Sequence, residues 1–241
     1  MELTLDSIRS IRLYQRKRGY RFSLDALLLF DFARQPQAKK IADLGAGSGI
    51  IGLLLAKEKH PHAEAALIEL QEQLSSLAEK NILLNGLEER VRAVNADMRD
   101  IKKTSGLKKG GFDLVVSNPP FRKPASGRIS VDEERALARH ELRMSLHDLV
   151  EAAGYLLKHG GKFCLIYHPE RLPEVLERLR ANGPFEAKRL RFVHGKAGLK
   201  AKMVLIEAVK GAAPGLEVAP PLVIYDENGS YTPEVKKIYG L

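Results

Sequence analysis

The chain has 241 residues, 44% of them hydrophobic, which suits a single folded domain with a sizeable core. With 39 Lys and Arg against 30 Asp and Glu, its net charge of +9 points toward an anionic partner. No apolar run approaches about 18 residues and no leader-like segment begins the chain, so we expect a cytoplasmic protein without a membrane span. The seven His residues show no metal-ligand spacing, so we expect no metal.

Two segments of the chain are strongly basic. Residues 9–21 contain six basic residues and no acidic one, interleaved with Tyr14 and Tyr20. Residues 187–202 carry another six Lys and Arg, again without an acid. Charges that track phosphates and rings that stack on bases suit a nucleic-acid groove, although most charge runs are ordinary solvated surface.

After the basic segment, residues 22–30 are predicted to form an apolar helix, and strands and helices then alternate. This alternation predicts an α/β fold, a Rossmann-like doubly wound sheet of seven strands in one domain, 1–241, with a basic extension over 1–30 and a tail over 211–241. The final pair of strands has no helix between its members, so the last strand should be antiparallel. The predicted strands are 39–44, 65–69, 91–95, 112–117, 162–167, 186–193 and 202–208, the helices are 50–59, 71–85, 145–157 and 170–180, and the tail is predicted to form a hairpin near 222–229 and a helix from 233.

The glycine loop after the first of these strands has two enzymatic interpretations. Gly47, Gly49 and Gly52 match the dinucleotide pattern G-x-G-x-x-G, and Glu69 lies at the distance of a ribose-binding acid, which would indicate a dehydrogenase. The other frame is Asp43-x-Gly-x-Gly-x-Gly, which resembles the S-adenosylmethionine loop of Rossmann-like methyltransferases. That resemblance implies that Glu69 binds ribose hydroxyls and that the residues after the third strand hold the adenine. The cofactor-binding residues it implies are Asp43, Gly45, Ala46, Gly47, Gly49, Glu69, Leu70, Asp97, Met98 and Asn118.

The tetrapeptide Asn118-Pro119-Pro120-Phe121 favours the methyltransferase frame. It follows a strand, where ligands bind in open α/β sheets, and its two prolines stiffen the backbone and remove two N–H donors. The Asn118 oxygen and the Pro119 carbonyl can accept both hydrogens of one planar amino group, while Phe121 stacks on the attached ring. We therefore predict that the catalytic residues are Asn118, Pro119, Pro120 and Phe121.

Such a loop serves amino groups of DNA bases, of RNA bases, and of the glutamine side chain of release factors. The segments 19–29, 127–141, 168–173, 191–194 and 220–235 together resemble the bacterial valine-tRNA adenine-N6 methyltransferase family over nearly the whole chain. The resemblance implies transfer from S-adenosylmethionine to an adenine N6 in the anticodon loop of a tRNA. The tetrapeptide ends in Phe121 where many members have Tyr, which keeps the stacking ring and loses a hydroxyl.

The remaining predicted residues concern the substrate. Phe22 and Asp25 line the pocket, with helix capping as the alternative role for Asp25. Arg139 and His140 contact RNA or hold the loop after the tetrapeptide in place. The basic segments bind phosphate, which positions RNA without reading its sequence, and here the predicted contacts are Arg16 and Lys17.

Three other functions remain open from the sequence. A protein N5-glutamine methyltransferase or an rRNA base amino-methyltransferase would use the same tetrapeptide. A basic RNA-binding module with a vestigial donor pocket would bind RNA without transferring a methyl group, although Asp43, Glu69, Asp97 and Asn118 argue against it.

Overall fold

The structure is a computed structural model that describes residues 2–17, 24–33, 35–119, 145–181 and 184–241. The strands are β1 Leu3–Ile8, β2 Ile11–Arg16, β3 Lys40–Leu44, β4 Glu64–Glu69, β5 Val91–Asn95, β6 Phe112–Ser117, β7 Leu157–Tyr167, β8 Phe185–His194, β9 Ala201–Lys210, β10 Glu217–Val218 and β11 Leu222–Val223. The helices are α1 Leu24–Phe32, α2 Ile50–Leu54, α3 Glu72–Leu84, α4 Leu146–Leu156, α5 Leu172–Ala181 and α6 Pro233–Tyr239. A π-helical turn over Leu55–Lys59 extends α2, and 3-10 turns cover Met98–Lys103 and Pro169–Arg171.

The predicted α/β sheet is confirmed. Its strands run in the order β10-β8-β9-β7-β6-β3-β4-β5, and the central strands β5, β4, β3, β6 and β7 are parallel. The last long strand, β9, is antiparallel to both β7 and β8, as the missing helix between β8 and β9 predicts. Among the described residues the sheet has nine strands rather than seven, because β10 and β11 pair with the outer edge of β8. Two-residue strands leave no periodicity in a sequence.

Helices cover both faces of this sheet. The face that carries α1, α2, α3 and α6 packs around Leu27, Leu53 and Val235, and the face that carries α4 and α5 packs around Val150 and Val175. Both faces of β6 are therefore buried, which explains why its sequence reads as a continuous apolar run.

Local signals set several helix ends. Ser145 and Asp148 form a reciprocal capping box at the start of α4, in which the Ser145 hydroxyl accepts the Asp148 N–H and the Asp148 carboxylate accepts the Ser145 N–H. At the start of α6, the Thr232 side chain accepts the Val235 N–H, and Pro233 occupies the first turn, where it needs no donor.

The basic N-terminal segment contains a β-hairpin that the sequence analysis did not predict. Strands β1 and β2 pair in antiparallel register through Ile8 and Ile11, joined by a two-residue turn in which Arg9 has φ of 52°. Alternate residues Ile11, Leu13 and Gln15 are buried, so the hairpin packs one face on the domain.

Two asparagines four residues apart hold this hairpin, Asn81 on α3 and Asn85 directly after its last residue. Asn81 accepts the Tyr14 N–H at 2.7 Å and donates to the Tyr14 carbonyl at 3.1 Å. Asn85 does the same for Arg12, at 3.0 and 2.7 Å. Their amide groups thus replace a neighbouring strand for Arg12 and Tyr14 of β2, which satisfies edge groups that would otherwise be unpaired.

The tail forms the predicted hairpin and helix. Tyr225 and Tyr231 make an antiparallel bridge around a tight turn, in which the Asp226 carboxylate accepts the Ser230 N–H. The helix α6 then runs back over the sheet face that carries α1. The tail is therefore part of the same hydrophobic core as the N-terminal hairpin.

Candidate active site

The predicted donor residues meet at one edge of the sheet, because β3, β4, β5 and β6 are parallel and all end there. One buried side chain fixes the distance between the end of β6 and the end of β3. The Ser117 hydroxyl, at the last position of β6, donates to the Leu44 carbonyl at 2.7 Å. Asn118, one residue later, is consequently held beside the loop that follows β3.

The glycine loop is held by the backbone and side chain at the end of β4. Gly45 and Ala46 donate their N–H groups to the Ile68 carbonyl at 2.9 and 3.1 Å, and Gly47 donates to the Glu69 carboxylate at 2.9 Å. Gly45 has φ of 74°, and a Cβ built there meets no atom within 4 Å. The loop therefore presents bare backbone to open space, which suits close approach by a ligand.

The last two glycines of the motif serve packing instead. A Cβ at Gly49 would lie 2.8 Å from a Leu67 methyl carbon, and a Cβ at Gly52 would lie 2.1 Å from the other. Leu67 is fully buried in β4, so a side chain at either glycine would force the Leu67 methyl groups to shift within a packed core. The G-x-x-G spacing that first indicated a dinucleotide site is thus explained by contact between α2 and β4.

Asp43, at the penultimate position of β3, is buried with one oxygen unpartnered. Its Oδ2 accepts the Gly52 N–H at 3.0 Å, whereas its Oδ1 is inaccessible to solvent and has no hydrogen-bond partner among the described residues. Burial raises its pKa from an ordinary 3.8 to about 7, with a smaller contribution from the charge of Glu69. Such a carboxylate is well placed to gain from a cationic group such as the ammonium of S-adenosylmethionine.

Glu69 ends β4 with its carboxylate already oriented. One oxygen accepts the Gly47 N–H and the other the Gln71 N–H, each at 2.9 Å. The Asn95 side chain, at the end of β5, donates to the carbonyls of Glu69 and Leu70 at 2.9 and 3.0 Å. Each carboxylate oxygen retains a lone pair, so the fixed group suits two adjacent ribose hydroxyls.

Asp97 follows β5 and caps the 3-10 turn that begins at Met98. It accepts the Arg99 N–H at 2.9 Å and forms an ion pair with the Arg99 guanidinium. The hydrogen bond from this guanidinium holds the pKa of Asp97 below its usual range, so the group is an ionised acceptor suited to an adenine amino group. Met98 is buried beside it and offers an apolar wall.

The acceptor loop is described only at its beginning. Asn118 is half-buried and Pro119 is buried, both directly after Ser117. The other predicted residues of this region, Pro120, Phe121, Arg139 and His140, lie outside the described residues, as does Phe22.

Three predicted substrate-binding residues are described. Asp25 lies in the first turn of α1. Arg16 is half-buried and donates to the Gln73 side chain of α3 at 2.7 Å. Lys17 is exposed and pairs with Glu2 at 3.2 Å. The pocket-lining role of Asp25 and the phosphate contacts of Arg16 and Lys17 stay predictions.

The second basic segment is largely occupied by contacts within the protein. Arg189 pairs with buried Glu207 at 2.9 Å and lies over the Phe32 ring at 3.8 Å. Arg191 forms a bidentate pair with Glu234, at 2.7 and 2.8 Å. Four of the segment's six Lys and Arg side chains thus have contacts within the protein. They are Arg189 and Arg191, together with Lys188 and Lys196, whose ammonium groups donate to the carbonyls of Ala213 and Glu227.

Asn81 is a residue that the sequence analysis missed. Besides binding Tyr14, its amide donates to the Ser48 carbonyl at 2.9 Å, so one fully buried side chain connects the N-terminal hairpin to the glycine loop. The spacing of Asn81 and Asn85, four residues apart on one helix, was the available signal. It was ambiguous because Asn85 precedes a glycine and suits a helix end as well.

Other chemistry is not indicated in the described part of the chain. No group of three or more His, Cys, Asp or Glu side chains there is arranged to hold a metal ion. No described helix combines the length and apolar character needed to cross a bilayer. Cys164 is buried, and burial raises the pKa of its thiol to about 12, so it is not a nucleophile.

Residues 24–189 match the family model of the methyltransferase small domain. The chain belongs to this family. It is 30% identical to a tRNA1(Val) (adenine(37)-N6)-methyltransferase of Porphyromonas gingivalis (strain ATCC 33277), over 90% of this chain and 86% of the relative. It is 31% identical to the protein of that name in Trichodesmium erythraeum (strain IMS101), over 87% of this chain and 85% of the relative. The predicted membership of the bacterial tRNA(Val) adenine-N6 methyltransferase family is confirmed.

Solved structures show the same fold. A predicted O-methyltransferase from Agrobacterium tumefaciens superposes with a TM-score of 0.72 at 24% identity, covering 90% of this chain and 95% of that one. The tRNA m1G37 methyltransferase of M. jannaschii superposes with a TM-score of 0.59 at 14% identity, covering 88% and 57%. The present protein is therefore an enzyme with a class I methyltransferase fold. Its cofactor is S-adenosylmethionine, which the loop around Asp43 and Glu69 fits.

Proposed function

We propose that this protein transfers a methyl group to the exocyclic N6 of an adenine in the anticodon loop of a tRNA, with adenine 37 of a valine tRNA as the first candidate. The observation that carries the proposal is the hydrogen bond from Ser117 to Leu44, which joins the end of the strand before Asn118 to the start of the glycine loop and so supports roles for Asn118 and Pro119 next to the donor. The named activity of the relatives supports the choice of base and of RNA.

The chain's own residues hold the donor in this proposal. Bound S-adenosylmethionine supplies an electrophilic methyl group on a sulfonium. Glu69 accepts hydrogen bonds from the ribose hydroxyls, and Asp97 accepts one from the adenine amino group. The bare backbone at Gly45 leaves room for the remainder of S-adenosylmethionine. The unpartnered Oδ1 of Asp43 favours the cationic ammonium end of the cofactor.

The acceptor side of the site orients the target amino group rather than acting as a general base. An adenine amino nitrogen is a poor nucleophile because its lone pair is delocalised into the ring. Hydrogen bonds from this NH2 to the Asn118 oxygen and the Pro119 carbonyl pyramidalise the nitrogen and direct its lone pair at the methyl carbon. The nitrogen–carbon bond forms as the carbon–sulfur bond breaks, and the nitrogen then loses one proton to water. Phe121 stacks on the extruded base.

The same proposal covers the domain organisation and the location. Residues 1–241 act as one methyltransferase domain, because the N-terminal hairpin and the C-terminal helix share a core with the glycine-loop helix. The extension 1–30 and the tail 211–241 are parts of this domain in our proposal. A tRNA substrate implies that the enzyme works in the cytoplasm.

The test is methyl transfer to a defined RNA. The purified protein is incubated with methyl-labelled S-adenosylmethionine and a valine tRNA transcript, beside the same transcript with guanosine at position 37. We expect label in the first RNA only, released as N6-methyladenosine on digestion. Equal labelling of both transcripts would reject the position. Label that appears only when a protein extract is added, and that stays with protein, would reject RNA in favour of glutamine methylation.

A further inference from the structure

Three tyrosine rings of the C-terminal tail are stacked in a row. The ring centroids of Tyr225 and Tyr231 are 5.3 Å apart with planes inclined by 15°, and those of Tyr231 and Tyr239 are 5.1 Å apart with planes inclined by 21°. Tyr231 and Tyr239 pack on the hydrophobic core, whereas Tyr225 is 38% exposed. Tyr231 covers one face of Tyr225. The Tyr225 ring is therefore the outer, exposed member of a stack whose inner rings pack on the core.

This stack lies at the edge of the sheet where the donor site is. Strands β7 and β8 are both antiparallel to β9, so β8 is parallel to β6 and ends at the same edge. Tyr225 donates its N–H to the Gly195 carbonyl, directly after β8, at 2.9 Å. Four strand spacings separate β6 from β11, which amounts to about 19 Å. That span equals roughly five or six stacked nucleotides at about 3.4 Å each.

The loop next to Tyr225 is basic and exposed. Lys196, Lys200 and Lys202 all have exposed side chains, and no acidic residue occurs between Glu186 and Glu207. Lys196 reaches the Glu227 carbonyl at 3.4 Å, and Lys202 lies over Gly195. Lys200 and Lys202 differ from Lys188, Arg189 and Arg191 of the same segment, whose charged groups are used within the protein.

Acidic groups near the stack do not cancel this charge. The Asp226 carboxylate accepts the Ser230 N–H within its own turn, and Glu234 is paired with Arg191. A hydrogen bond from a backbone N–H does not neutralise Asp226, so Asp226 and Glu227 oppose the three lysines and leave a net positive charge. Burial and a hydrogen bond with Tyr231 raise the pKa of Tyr239, so the inner end of the stack stays neutral.

We propose that Tyr225 and the neighbouring lysines bind single-stranded nucleotides of the substrate's loop, several positions away from the target adenine. A base stacks on the outer face of Tyr225, and adjacent phosphates pair with Lys200 and Lys202. An aromatic ring beside exposed cations fits single-stranded RNA because every base has a face to stack and every linkage has a charge. The inference rests on the proposed RNA substrate and assigns it a second contact surface.

The first test removes the ring. Affinity for a valine tRNA transcript is measured by fluorescence anisotropy, with S-adenosylhomocysteine present, for Tyr225→Ala and for Tyr225→Phe as the matched control. We expect about tenfold weaker binding for the alanine variant and unchanged binding for phenylalanine, because stacking requires the ring and not the hydroxyl. Donor affinity should stay at the wild-type value in both variants, and the melting temperature should fall by no more than about 4 °C in Tyr225→Ala, which loses the stack on Tyr231.

The second test removes the charges. The variant K200A/K202A should lower the slope of log affinity against log salt by about 1.4, since each phosphate contact on a single strand contributes about 0.7. The matched control is K108A/K109A, two exposed lysines before β6 at the opposite edge of the sheet, and its slope should equal that of the wild type.

Wild-type turnover on the same transcript distinguishes a failure of the proposed function from a failure of this inference alone. If the wild-type protein does not methylate the tRNA, the proposed function fails. If it does, and Tyr225→Ala and K200A/K202A both bind as tightly as wild type with the same slope, the surface is not an RNA contact and only this inference is overturned.

Discussion

The donor loop and the second basic segment, 187–202, use their residues in different ways. In the donor loop, each residue type in the motif has a local task that its position in the chain already specifies, such as Gly52 against Leu67 or Asp43 at the end of a strand. In the basic segment, the same type of side chain has two uses, because Arg189 and Arg191 pair within the protein while Lys200 and Lys202 are exposed. A motif with fixed spacing therefore predicts where a site lies, whereas a run of basic residues predicts only the net charge of its segment.

The largest expected effect comes from Asn118→Ala. Without the side-chain acceptor, the target amino group is no longer oriented, and we expect kcat to fall by about a thousandfold, or about 4 kcal/mol. The affinity for S-adenosylhomocysteine, measured by calorimetry, should stay within about twofold of wild type. Loss of cofactor binding together with activity would mean that Asn118 belongs to the donor site alone.

Arg189→Ala should destabilise the fold. Among the described residues, the change leaves Lys162 as the one cationic partner of Glu207, which is 6% exposed, and it removes the guanidinium from the Phe32 ring. We expect a loss of about 3 kcal/mol in the free energy of unfolding by urea. The salt dependence of tRNA binding should not change.

The matched variant for that experiment is R16E/K17E. It should weaken tRNA binding and reduce the salt slope. The Lys17 pair with Glu2 is exposed and contributes little to stability, so any loss in unfolding free energy comes from the hydrogen bond between Arg16 and Gln73. A slope that falls in Arg189→Ala, or one that stays fixed in R16E/K17E, would contradict the division between internal and available charges.

Within the donor loop, Gly52→Ala and Gly45→Ala should separate packing from binding. At Gly52 the new methyl group would collide with buried Leu67, and we expect about 2 kcal/mol of destabilisation. At Gly45 the methyl group meets no protein atom but enters the open space and requires φ of 74°, so cofactor affinity should fall more than stability. Thermal melting with and without S-adenosylhomocysteine distinguishes the two. Equal losses of both quantities in the two variants would contradict this assignment.

Asn81→Ala and Asn85→Ala test the connection between the hairpin and the donor loop. Each variant leaves backbone groups of β2 unpaired, and we expect a loss of roughly 1–2 kcal/mol in either case. Only Asn81 also binds the Ser48 carbonyl, so only Asn81→Ala should weaken cofactor binding. Hydrogen exchange of the hairpin amides is the control for release of β2, and a loss of cofactor affinity in both variants would argue against a specific role for Asn81.

The smallest effect concerns the pH dependence of cofactor binding. Because the pKa of Asp43 is raised to about 7, the folded protein holds a proton there that the unfolded chain releases near 3.8, and stability falls as pH rises through 7. A cationic ligand favours the ionised form, so the affinity for S-adenosylmethionine should increase about tenfold from pH 6 to pH 8. In Asp43→Asn the affinity should be independent of pH over this range, and an unchanged profile would assign the titration to another group.

Much of the fold was predictable because it depends on local patterns. Buried parallel strands appear as apolar runs, and the glycine loop and the acid after each strand mark one sheet edge, so Asp43, Glu69 and Asp97 were placed correctly at that edge. The direction of β9 followed from the missing helix before it.

The unpredicted parts depend on contacts between distant segments. The hairpin β1–β2 has alternating burial, but its buried set includes Gln15 and its edge is satisfied by side chains of α3. The pairing of Arg191 with Glu234 joins residues 43 apart, and nothing in either local sequence indicates it. The fold determines which residues a long charged side chain contacts, so local patterns in a single sequence do not predict these partners.

Arg9 has a consequence for how the chain is assembled during synthesis. Its guanidinium pairs with Glu58 and donates to the carbonyls of Lys237 and Ile238, which follow it by 228 and 229 residues. At roughly 5–20 residues per second, translation delivers α6 about 10 to 50 s after the hairpin turn. The nascent hairpin therefore waits on the ribosome without its last partner, and a stall late in translation would leave the apolar surface under α6 exposed to chaperones.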